Sequence, residues 1–129
     1  MKSPTLAQII ATAKNGIWYS DAVAWAERNE ILRDCINNDF DWHAPLTREQ
    51  GIVTLHGYAR FQGKDTGVRD DLPRYTDAGD ISQWALEAFR WSVGADIVVG
   101  NTLTTLVPLA TFTRAQSAMV FMKYFTLAP

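Results

Sequence analysis

At 129 residues the chain has room for one domain with a sizeable core, and its 47% hydrophobic and 20% charged residues are ordinary for a globular protein. A net charge of −2, with Lys and Arg scattered, excludes the basic stripe that grips a phosphate backbone, so a nucleic-acid partner is set aside. The single Cys35 excludes an intramolecular disulfide, and no apolar run approaches the roughly 18 residues of a membrane span.

Residues 1–16 form an N-terminal helix or a partial repeat: Thr5-Leu6-Ala7-Gln8 is followed by the helix-like Ile9, Ile10 and Ala13. The segment lacks the sustained apolar region of a signal peptide. The chain as written is therefore expected in the cytoplasm or in a virion, and at the cell surface only as a fragment or after lysis.

Residues 17–60 read as helix, loop, helix. Trp18, Ala22, Trp25 and Ala26 recur at the spacing of one helix face. A loop with Asn37-Asn38-Asp39 follows, and Thr47-Arg48-Glu49-Gln50 opens a second helix carrying Ile52, Leu55 and Tyr58. The polar stretch 61–74, with Gly63, Gly67 and Pro73, reads as a linker short enough to leave a single domain.

Residues 75–125 repeat the plan. Ser82 is placed as the N-cap of a helix with Trp84, Ala88, Trp91 and Ser92 on one face. Gly100-Asn101 turns the loop, and Thr113-Arg114-Ala115-Gln116 opens a helix carrying Ala118, Met119, Met122 and Phe125. A constant offset of 66 residues, without a gap, lays Trp18 on Trp84, Trp25 on Trp91, Ile31 on Ile97, Thr47-Arg48 on Thr113-Arg114 and Tyr58 on Tyr124. Two rare Trp pairs and a shared Thr-Arg-x-Gln in one register identify tandem units that bury a hydrophobic face only by packing together. The expected fold is all-α, one helical bundle, with the matched indoles in a common interior and binding grooves between units.

Thr47 with Gln50, and Thr113 with Gln116, have the spacing of a capping box. Arg48 and Arg114 place a cation in the first turn of a helix, against the macrodipole, at a cost of roughly 0.3–1 kcal/mol when exposed. Each should therefore have a negative or carbonyl partner. That partner is either internal, such as Asp21 or Asp77, or a ligand carboxylate held by the guanidinium fork and free helix amides. Trp18, Trp25, Trp84 and Trp91 lie on the apolar stripes and read as core, with Trp18 and Trp84 nearest the helix starts. His43 and His56 lack metal-ligand spacing, and Asn37 to Asp41 lacks the Gly and Glu of a calcium loop. Asp70-Asp71, Asp77 and Asp80 read as solvated charges or helix caps. No nucleophile elbow, phosphate-binding loop or catalytic triad signature is present, so the chain reads as non-enzymatic, with no metal or cofactor.

These residues resemble the S-layer homology (SLH) domain, whose tandem units end in a Thr-Arg-Ala-Glu-like motif. Tyr75-Thr76-Asp77-Ala78-Gly79-Asp80-Ile81-Ser82-Gln83-Trp84-Ala85 resembles the family's opening, and Leu106-Val107-Pro108 with Thr113-Arg114-Ala115-Gln116 its loop and second helix. The first unit matches in Trp18 to Ala26 and in Pro45-Leu46-Thr47-Arg48-Glu49-Gln50. The resemblance implies a pronged helical bundle that attaches non-covalently to cell-wall polymers, often through a pyruvylated, anionic sugar in inter-repeat grooves. Arg48, Arg114, Trp18, Trp84, Asp21 and Asp77 would then carry the contact. The first unit departs from the family: Asn29-Glu30-Ile31 stands where Asn-Gly-Ile is expected, and Asp34 where a later Gly is expected. A side chain there is expected to obstruct a left-handed turn.

The alternative is a leaderless SLH-like fold reused as a protein-binding module, either an intracellular adaptor or a phage-encoded inhibitor of a host defence enzyme such as an anti-CRISPR protein. Its contact surface would be Asp34, Asp39, Asp41 and Trp42. With two units and part of a third, a homodimer would complete a three-unit bundle.

Overall fold

The computed structural model describes residues 20–31, 44–98, 100, 102 and 104–127. Four α-helices stand among them: α1 (Ser20–Arg28), α2 (Arg48–Phe61), α3 (Gln83–Gly94) and α4 (Arg114–Phe125), with a 3-10 turn at Ala78–Asp80 before α3. The described residues contain no sheet, only an isolated antiparallel bridge between Thr47 and Thr111. The all-α expectation therefore holds, and no described helix is long and apolar enough to cross a membrane.

Helix ends follow the local sequence. Both capping boxes form: Thr47 Oγ1 accepts from Gln50 N at 3.2 Å while Thr47 N donates to Gln50 Oε1 at 3.1 Å. The Thr113–Gln116 pair repeats this at 3.1 and 3.0 Å. α1 and α3 end in matching turns. Ile31 N donates to Ala26 O and Glu30 N to Glu27 O, and Ile97 N donates to Ser92 O and Asp96 N to Val93 O. This paired bonding terminates a helix through one left-handed residue, and Glu30 (φ 59°) and Asp96 (φ 60°) fill that position. The side chain of Glu30 therefore does not prevent the turn, contrary to the expectation from the missing glycine. Gly100 is required where it stands: at φ 89° an added Cβ would lie 2.6 Å from Thr102 O.

The core is built on α2 against α3. Ile52, Val53 and Ala59 pack with Ala85, Ala88, Phe89 and Trp91, and Val120 and Tyr124 of α4 close it together with Leu72, Tyr75, Ile97 and Leu106 from the connections. The turn after α1 lies so close on α2 that a Cβ on Gly57 would meet Ile31 O at 2.1 Å. The stretch read as a linker is held against α3, with Asp70 N donating to Arg90 O and Leu72 only 3% exposed. Arg69–Glu87 (2.9 Å) and Arg90–Asp71 (2.7 Å) pair across this seam at the surface, where such pairs contribute little.

The matched tryptophans do not share an environment, and the expectation of a common interior fails for one of them. Trp91 is 1% exposed and lies on the His56 ring at 5.1 Å. Trp25 is 42% exposed and meets Phe61 edge-on at 5.2 Å. The reason is that α2 lies directly on α3, while the corresponding side of α1 borders an open cleft shared with α2 and α4.

Glu27 is 4% exposed, and its Oε1 is without a hydrogen-bond partner among the described residues. Desolvation raises its pKa above the ordinary carboxylate range. A raised carboxyl pKa gives stability that is complete in acid and is lost as pH rises through the folded-state value. Urea unfolding should therefore show stability falling as pH rises above the ordinary Glu value of about 4.3, with a smaller fall for Glu27→Gln. At the helix end, Asp96→Gly should raise the urea midpoint by the equivalent of about 0.5–1 kcal/mol, because glycine tolerates the left-handed turn.

Candidate functional site

The N-terminus of α2 is filled from within. Its first two amides donate to the connection between α3 and α4: Arg48 N to Ala110 O at 2.8 Å and Glu49 N to Pro108 O at 2.9 Å, and the third, Gln50 N, goes to Thr47. Phe112 N returns a bond to Leu46 O at 2.8 Å. Arg48 is 5% exposed, and its Nε donates to Leu106 O at 2.8 Å with the guanidinium 5.8 Å from the Phe112 ring centroid. Burial lowers the Arg48 pKa, and the charge of Asp77 acts in the opposite direction.

Asp77 takes hold of the same turn from its other side. Its carboxylate accepts from Leu106 N (2.9 Å) and Val107 N (2.8 Å), leaving Leu106 fully buried. Val107 is held at φ 42°, a backbone region that a β-branched residue rarely enters. Of the two partner types open for Arg48, the internal one is present: a carbonyl, with Asp77 contributing its field. Asp77 is neither a solvated charge nor a helix cap but an anchor for loop amides. No free amide remains in the first turn of α2 for a ligand.

Glu49 was not singled out by its sequence. It is 3% exposed and accepts from both Ser82 N (3.0 Å) and Ser82 Oγ (2.7 Å), so it places a carboxylate at the positive end of α3. Ser82 occupies the N-cap position but makes no side-chain cap bond, because its hydroxyl is turned to Glu49. The visible signal was an asymmetry: position 49 is Glu where its counterpart, position 115, is Ala.

The equivalent N-terminus, that of α4, is open. Arg114 and Ala115 are exposed, and among the described residues neither the Arg114 guanidinium nor the amides of Arg114 and Ala115 has a partner. Two residues with the same sequence context thus have opposite fates, Arg48 inside and Arg114 outside. Trp84 is half-buried against the core in the first turn of α3, and Asp21 is exposed in the first turn of α1. Trp18, Asp34, Asp39, Asp41, Trp42, Cys35 and His43 lie outside the described residues.

Between α1, α2 and α4 runs a cleft of about 370 Å³, lined by Ala22, Trp25, Leu46, Leu55, Tyr58, Phe112, Val120 and Phe121 among others. Thr54 and Ser117 bring the side-chain hydroxyls other than that of Tyr58, and no charged residue lines it, so its chemistry is unsuited to an anion. The described residues hold no group of three or more His, Cys, Asp or Glu placed for a metal.

Residues 74–118, from the Asp77 segment to the first turns of α4, match the family model of the S-layer homology domain. Over 113 residues the chain is 28% identical to the "Surface-layer 125 kDa protein" of Lysinibacillus sphaericus, a match that takes in 85% of this chain and 9% of that protein. No solved structure matches the chain.

The two arginines should separate cleanly in unfolding experiments. Arg48→Ala leaves the Leu106 carbonyl and the Asp77 carboxylate without their cation and should cost about 2–4 kcal/mol. Arg114→Ala, at an exposed position, should stay within about 0.5 kcal/mol of wild type. Urea midpoints measured side by side check both.

Proposed function

We propose, from the match of residues 74–118 to the S-layer homology domain model, that the chain is a non-enzymatic cell-wall binding module and that it holds an anionic wall glycan at the N-terminus of α4. The observation that carries the reading is the contrast between the sealed start of α2 and the open start of α4. At α4 the exposed Arg114 and Ala115 offer a guanidinium and two amides with no partner among the described residues, at the positive end of a helix. That set suits a carboxylate: the Arg fork offers paired donors and the helix end adds its dipole. A pyruvyl ketal on a wall sugar presents such a carboxylate on a rigid ring, and Trp84 is the half-buried indole on the same unit.

Arg48 and Asp77 serve this function indirectly. They fix the turn at 106–110 on α2, and the chain runs from there into Thr113 and the start of α4.

Co-sedimentation with purified cell-wall polymer tests the proposal, using wild type and Arg114→Ala on wall material before and after mild-acid removal of pyruvyl ketals. Wild type should pellet with intact wall, and Arg114→Ala should bind about ten- to a hundredfold more weakly, as expected for a lost charge-assisted contact of roughly 1.5–3 kcal/mol. Failure of wild type to pellet would remove the wall-binding reading. Equal binding to ketal-free wall would remove the pyruvylated sugar, and equal binding by Arg114→Ala would remove the α4 site.

A further inference from the structure

The two helix starts that differ so much in their donors meet at one glycine. In each unit the residue before the N-cap is apolar, Leu46 before Thr47 and Phe112 before Thr113. A residue at that position packs on the side chain four places past the cap, and so fixes how the chain enters the helix. On α2 that place is Gly51, which has no side chain to offer, and on α4 it is Ser117, which is small and polar.

The space over Gly51 is filled from the other unit. A Cβ built there would stand 2.3 Å from Cδ2 and 2.6 Å from Cε2 of Phe112, and 3.3 Å from Cδ2 of Leu46. The entry residue of α4 therefore lies in a notch on α2, beside the entry residue of α2 itself. The backbones join at the same point: Phe112 N donates to Leu46 O at 2.8 Å, and Thr47 and Thr111 form an antiparallel bridge. The Arg48 guanidinium lies 5.8 Å from the centroid of the same ring. A glycine inside a helix lowers its stability relative to alanine, and the close approach of the ring is what this one permits.

We propose that Phe112 is the positioning residue of the α4 site and Gly51 its seat. The ring crosses from one unit to the other and sets where Thr113, and with it Arg114 and the first amides of α4, stands against α2. Phe112 touches no ligand in this role; it acts through the two residues that follow it. The consequence for binding rests on the glycan reading above, and the seating itself does not. A methyl added at Gly51 overlaps the ring carbons, so the ring must leave the notch. Leucine, which the first unit carries at the matching position, has no ring and rotates clear of that methyl.

Two readouts on the full chain test this. Amide hydrogen exchange at position 112 reports the seating: it should be about tenfold faster in Gly51→Ala and return close to wild type in Gly51→Ala/Phe112→Leu. Gly79→Ala, where a Cβ meets nothing within 4 Å, should match wild type. Co-sedimentation with intact wall reports the consequence. Gly51→Ala should bind about tenfold more weakly, and adding Arg114→Ala should then cost little more, because a displaced arginine has no contact left to lose. Gly51→Ala/Phe112→Leu should regain binding. Far-UV circular dichroism checks that each variant is folded; if Gly51→Ala is not, Phe112→Ala, which empties the notch without a clash, replaces it in both measurements with the same expected directions. Unchanged exchange at position 112 would overturn the proposal whatever the wall result. So would an Arg114→Ala loss of the same factor with and without Gly51→Ala. Wild type that fails to pellet removes the glycan reading alone, and exchange at position 112 then decides the seating by itself.

Discussion

The structure depends on how one helix start is satisfied. An α-helix leaves its first amides without partners inside the helix, and α2 gives two of them to carbonyls of a turn 60 residues further on. Arg48 then binds a third carbonyl of that turn while Asp77 takes two of its amides, so a short irregular segment is held on both polar sides. The strained backbone at Val107 persists because these bonds over-determine it. Loss of the guanidinium would leave buried acceptors without a donor, which costs far more than the intact bonds contribute. Glu49 extends the junction to the next helix by engaging both polar groups of Ser82.

The same four-residue pattern at α4 has no such neighbour among the described residues. Its capping box forms as well as that of α2, because a capping box needs only four consecutive residues. The amides beyond the box and the arginine are another matter, since they need a turn from elsewhere in the chain. One motif therefore has two physical roles: in α2 it holds the units together, and in α4 it leaves donors exposed to solvent. The apolar faces obey the same logic. α2 lies against a neighbour and is dry along one side, whereas α4 carries four of the most exposed large hydrophobics among the described residues.

Much of this was legible before any coordinates. The 66-residue register, the helix starts at Thr47 and Thr113 and the amphipathic stripes are local or periodic properties. Composition and spacing report them directly, and the family resemblance rested on those residues. The roles of Arg48 and Asp77 were narrowed but not decided, because an arginine that opposes the dipole needs a partner without specifying which one. Glu49 was missed because its partner lies 33 residues away, and a carboxylate in a first helical turn is unremarkable by itself. Trp25 was misplaced for a related reason: it lies on the right stripe, but a stripe shows which side wants cover and not whether cover exists.

What the amino-acid sequence determined alone was therefore what is fixed by neighbours a few residues apart: the helices and the capping boxes. Tertiary structure decided which copy of each repeated element is sealed and which is open. That decision depends on the free energy of burying donors and apolar surface against residues distant in the chain. The Thr-Arg-x-Gln pattern that both copies share contains no record of it until the fold places a partner beside one and not the other.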